Sequence, residues 1–126
     1  MKFRLAIAAA LLALMSLGSF AHGPERGPNG GQMQEIGSTH LELVIQNNEL
    51  TVYITDQNNQ PVSLNGATGT ATVLAGGASE TVQLQPLGGN VLRGRGNFTA
   101  ARGMRVVVLL TLQGQRAQQA RFTPMD

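Results

Sequence analysis

From Gln32 onward, apolar and polar residues alternate in short runs with the two-residue period of strands, and no stretch shows the 3.6-residue period of an amphipathic helix. In His40-Leu41-Glu42-Leu43-Val44-Ile45 this places Leu41, Leu43 and Ile45 on one face and His40, Glu42 and Val44 on the other. Asn47-Asn48 predicts a tight turn into the run from Leu50 to Thr55, so these two segments form a hairpin. Further strands are predicted over 68–75, 80–85 and 90–96, punctuated by Gly76-Gly77, Pro86 and Gly88-Gly89. The stretch 104–112 is the most apolar, and its Val-Val-Val-Leu-Leu run reads as a strand buried on both faces. A last strand over 116–122 pairs with it across Gln113-Gly114-Gln115.

Seven or eight short strands separated by Gly, Asn and Pro turns predict an all-β chain, an antiparallel immunoglobulin-like β-sandwich with a small β-barrel as the alternative. Residues 32–126 form this single domain. Before it, His22 to Gly31 reads HGPERGPNGG, too poor in apolar side chains to build a core, and is read as a flexible Gly/Pro-rich arm.

The first 21 residues are of another kind. Lys2 and Arg4 precede an apolar run from Leu5 to Leu17 broken only by Ser16, and Gly18-Ser19-Phe20-Ala21 ends in small residues where a signal peptidase cuts. This predicts export to the periplasm and cleavage after Ala21. The run is shorter than the roughly 20 residues that cross a bilayer, so no stable membrane anchor is expected after cleavage.

Composition narrows the chemistry. There is no cysteine, so disulfides, thiolate metal sites and cysteine nucleophiles are excluded. Lys2 and Arg4 account for the formal charge of +2, so residues 22–126 are balanced and nothing points to nucleic acid. Tyr53, Phe98 and Phe122 are the only aromatics after residue 21, which leaves Val, Leu, Ile and Ala to fill the core. No nucleophile elbow, phosphate-binding glycine loop or catalytic Ser-His order occurs, so an enzyme is not expected.

What remains is nitrogen chemistry. The chain has two histidines, and cleavage after Ala21 would make His22 the first residue. A free α-amine and the imidazole Nδ1 of one residue chelate a cation, and His40 offers a second imidazole. An amine with two imidazoles suits Cu(II) best among common divalent metals. Glu42 lies on the face of His40, Glu35 precedes it across the Ile36-Gly37 turn, and Met33 carries a soft thioether that favours Cu(I). The candidate metal ligands are therefore His22 and His40, with Glu42, Glu35 and Met33 as weaker ones, and copper is the first metal to test. Arg93, Arg95, Arg102 and Arg105 form the one cluster of charge. They offer a docking face for an anionic partner or a charged guard on a sheet edge.

One resemblance adds to this reading. The arm Gly27-Pro28-Asn29-Gly30-Gly31, then Glu35-Ile36-Gly37, then His40-Leu41-Glu42-Leu43-Val44 resembles small periplasmic proteins and the N-terminal domains of heavy-metal efflux adaptors. There a GPxGG-like arm leads to E-x-G and H-x-E-L-V. Leu50 to Asp56 and Gln60-Pro61-Val62 extend the likeness, which covers 27–62; beyond that only the strand pattern is shared. The resemblance implies a periplasmic β domain that handles transition metals, with a metal efflux complex as partner, and it singles out His40 and Glu42. Such proteins often carry histidine just before the glycine-rich arm, where this chain has Arg26.

Overall fold

A computed structural model describes residues 25–126. These residues contain eight strands and no helix: β1 (Gln32–Ile36), β2 (Thr39–Gln46), β3 (Glu49–Asp56), β4 (Thr68–Ala75), β5 (Ala78–Pro86), β6 (Val91–Arg95), β7 (Arg105–Thr111) and β8 (Gln118–Phe122). The predicted signal segment and His22 lie outside the described residues.

Local sequence sets the hairpins. Asn47 takes a positive φ of 58°, and the turn closes with Gln46 opposite Glu49. Asparagine tolerates this left-handed conformation better than most side chains. At the β4–β5 turn both central residues, Gly76 and Gly77, have positive φ, as a two-residue hairpin with the right strand twist demands.

All pairings are antiparallel, and the strands follow the order β1-β2-β3-β6-β5-β4-β7-β8. Two three-stranded meanders thus join where β6 docks on β3, and the β7–β8 hairpin extends the far side. The first and last strands then meet. Gln34 Nε2 donates to the Arg121 carbonyl at 2.7 Å, and Thr123 N donates to Gln32 Oε1 at 2.8 Å. Side chains rather than a backbone ladder close this seam. One continuous order whose ends touch is the small-barrel arrangement, the second of the two all-β architectures the pattern allowed.

The barrel interior takes one face of each strand. Leu41, Leu43, Leu50, Val52, Ile54 and Leu92 fill one half; Ala71, Val73, Val106, Val108, Leu110 and Phe122 fill the other. Burial in β7 follows period two. Val106, Val108 and Leu110 are fully buried, whereas Leu109 between them is 41% exposed. This corrects the expectation of a strand buried on both faces. A single sheet curled on itself covers only its inner side, and outward Val and Leu in β7 reflect the β preference of branched residues as much as burial.

Candidate functional site

The outward face of β1 and β2 gathers four of the candidate ligands. In the antiparallel register Glu35 stands opposite His40, and Met33 stands opposite Glu42. Directly opposed residues share a face, so alternation carries all four outward as Leu41 and Leu43 go into the barrel. The turn at 37–38 sets this register, and a slip of one residue would bury His40.

His40 and Glu35 touch: His40 Nε2 lies 3.3 Å from Glu35 Oε2. The imidazole is largely covered, at 20% side-chain exposure, and the carboxylate is open, at 65%. His40 Nδ1 is enclosed and has no hydrogen-bond partner among the described residues. A buried polar atom without a partner is uncommon and destabilising. The pair is an imidazole held against a carboxylate, with spare bonding capacity on both.

Glu42 has a different role. Although it sits on the outer face, it is 2% exposed, because residues 27–31 fold back over it. Its Oε2 accepts from Asn29 N and Gly31 N, both at 2.8 Å, and its Oε1 accepts from Asn29 Nδ2 at 3.0 Å. Three donors already engage this carboxylate, so the geometry makes it an anchor for the loop and not an open ligand. The described part of the arm, expected to be flexible, is thus a hydrogen-bonded loop packed on the sheet. Gly27 N and Gly31 O, and Gly30 N and Gly27 O, close it internally, and Met33 N donates to the Glu25 carbonyl.

Glycine is required in this loop by close approach. A Cβ on Gly27 would collide with the Glu42 carboxyl group and Met33 Sδ, and one on Gly31 with the Leu43 backbone carbonyl. The same crowding fixes Met33, whose thioether lies beneath Gly27 at the margin of a groove of about 610 Å³ that also borders Tyr53, Thr55 and Asn90. Among the described residues no three of His, Asp and Glu come together as a metal-binding group. Among the described residues the His40–Glu35 pair thus brings together two side chains able to donate to a cation.

The arginines that cluster in the sequence separate in space. Arg93 and Arg95 lie on β6, with β5 and β4 between them and Arg105 on β7. Arg95 Nη2 pairs with Glu49 Oε2 at 3.0 Å; Arg93 Nε lies 3.8 Å from Glu49 Oε1 and donates to Thr51 Oγ1 at 3.1 Å. The single Glu49 carboxylate thus offsets one of the two positive charges on this face, which weakens its case as a dock for anions.

Asn29 and Gly31 are the residues that sequence reasoning did not single out. Their partner is more than ten positions along the chain, and no local pattern couples a turn glycine to a distant glutamate. The one available signal was the joint occurrence of a GPxGG arm and H-x-E-L-V, whose two halves meet here at Glu42. Comparison with family models, with curated proteins and with solved structures gives no match.

Proposed function

We propose that this chain is a soluble periplasmic transition-metal binder serving metal homeostasis or efflux, with copper as its cargo and chelation without turnover as its mode of action. The observation that carries the reading is the separation of His40 Nε2 and Glu35 Oε2, 3.3 Å. Two donors each about 2.1 Å from one ion, subtending 90 to 110°, stand about 3.0–3.4 Å apart. An imidazole nitrogen and a carboxylate oxygen already spaced as a chelate need little rearrangement to share a cation.

The remaining donors come from His22 and Met33 in this proposal. Residue 22 is three positions before Glu25, whose carbonyl is bonded to Met33 N, and three extended residues reach about 10 Å. Met33 and Glu35 are two residues apart, about 7 Å along a strand. An α-amine and imidazole at position 22 are the donors that this reading assigns to the chain before Glu25. Amine, imidazole and carboxylate together suit Cu(II), and Met33 would favour the reduced ion.

The test is a copper titration of exported protein whose N-terminus has been sequenced. Stoichiometric uptake is expected. His40→Ala should abolish tight binding, an extra residue before His22 should weaken it, and Glu35→Ala should cost about 10-fold or more in affinity. Uptake unaffected by His40→Ala, or a mature terminus other than His22, would overturn this site.

A further inference from the structure

The sequence holds two Asn-Gly pairs, Asn29-Gly30 and Asn65-Gly66. This dipeptide is prone to spontaneous deamidation, because glycine puts no side chain in the way of its own backbone nitrogen. That nitrogen bonds to the asparagine Cγ, the Cγ–Nδ2 bond breaks, and ammonia leaves with the glycine amide proton. Water then opens the succinimide at either carbonyl and leaves an aspartate or isoaspartate carboxylate.

The fold sets the two pairs in opposite situations. Asn65 is exposed, and no hydrogen bond among the described residues engages its side-chain amide or the Gly66 N–H. At Asn29 both reacting groups are occupied: Nδ2 donates to Glu42 Oε1 at 3.0 Å, and Gly30 N donates to the Gly27 carbonyl at 3.0 Å. The side chain must turn toward Gly30 and the amide must lose its proton, so reaction at Asn29 requires the loop to open.

The consequences differ as well. Glu42 is 2% exposed and accepts from Asn29 N, Asn29 Nδ2 and Gly31 N, all in this loop, and no arginine pairs with it among the described residues. Deamidation exchanges one of those donors for an anion at hydrogen-bond distance from the buried carboxylate. Two like charges so close and so little hydrated repel strongly, and the loop loses the partner it closed on. We infer that Asn29 is a modification site: its deamidation, gated by the contact with Glu42, is a one-way latch that releases residues 27–31 and uncovers Glu42 on the outer face of β1 and β2. The inference stands apart from metal binding, and Asn65, with no such partner, is its internal control.

The test ages the purified protein at mildly alkaline pH, follows both asparagines by peptide mass mapping and reads amide exchange in parallel. In the folded protein Asn29 should convert at least about 10-fold more slowly than Asn65, the suppression that one charge-assisted hydrogen bond supplies. In urea the two should react alike, and Glu42→Ala should speed Asn29 alone. In the converted fraction, and in Asn29→Asp, the Gly31 amide should exchange about 10-fold faster or more while β7 amides stay protected. Adding Glu42→Gln to Asn29→Asp should restore protection. The glutamine oxygen takes the two backbone donors and its Nε2 donates to the new carboxylate, a rescue that a general loss of stability would not give. Should Glu42→Ala fail to fold, the contrast between folded protein and urea reads the gating, and Asn29→Asp reads the latch. Equal rates at Asn29 and Asn65 in the folded protein, a Gly31 amide still protected after conversion, or no rescue by Glu42→Gln would each overturn the inference.

Discussion

Leu109 and Leu110 are neighbours of identical chemistry in the most apolar run of the chain, and the barrel gives them opposite fates. Leu110 is fully buried and Leu109 is 41% exposed. Truncating either to alanine removes the same three carbons, about 2.4 kcal/mol of transfer free energy at about 0.8 kcal/mol per buried carbon. At Leu110 a cavity penalty adds to this, since the interior closes over the gap only partly, and the total should reach about 3–4 kcal/mol. At Leu109 solvent already covers part of the side chain and fills the space left behind. Only the covered share counts there, about 1.4 kcal/mol at most, with no cavity penalty. With a urea m-value of about 2 kcal/mol/M, the unfolding midpoint should drop by about 1.5–2 M for Leu110→Ala and by about 0.7 M or less for Leu109→Ala. The slope should be unchanged in both. Equal losses, or the larger loss at Leu109, would mean that β7 is covered on its outer face and would refute the one-layer architecture.

Gly31→Ala should destabilise by about 1–3 kcal/mol, because its Cβ would press on the Leu43 carbonyl; a thermal midpoint unchanged from the parent would count against the packed loop. Gly30→Ala meets open space but must hold a φ of +82°, so its expected loss is about 1–2 kcal/mol, from backbone conformation alone. Gln34→Ala and Gln32→Ala each remove one hydrogen bond across the β1–β8 seam, at about 1 kcal/mol apiece. Hydrogen exchange should show Thr123 N losing protection in Gln32→Ala, and retained protection would contradict side-chain closure. Glu80 accepts from Asn97 N with both oxygens, at 2.9 and 3.0 Å; Glu80→Ala should lose about 1 kcal/mol in urea unfolding, and no loss would remove its role in holding the β6–β7 connection.

Much of the strand map could be read from the pattern alone. The segment 68–75 coincides with β4, and the Asn47-Asn48 and Gly76-Gly77 turns fall where expected. Alternation in β2 correctly divided Leu41 and Leu43 from His40 and Glu42. It failed at 104–112, where a continuous apolar run hides its period: when both faces carry Val and Leu, sequence cannot tell inside from outside. For the candidate site, the pattern found the shared face of His40 and Glu42, and the tight turn at Gly37 was enough to bring Glu35 back toward His40. The burial of Glu42 was illegible, because what covers it arrives from outside the strand.

Sequence by itself determined the all-β class, the hairpin turns and, wherever apolar and polar residues alternate, the side of a strand on which a residue falls, since these follow from φ preferences and two-residue geometry within a few positions. Only the tertiary structure decided that β6 sits between β3 and β5, that glutamine side chains join the two ends of the sheet, and that Glu42 receives the GPNGG loop while Glu35 and His40 remain together at the surface. Those outcomes depend on contacts between segments far apart in the chain. A local pattern fixes where a side chain points, and the fold of the whole chain fixes what it meets there.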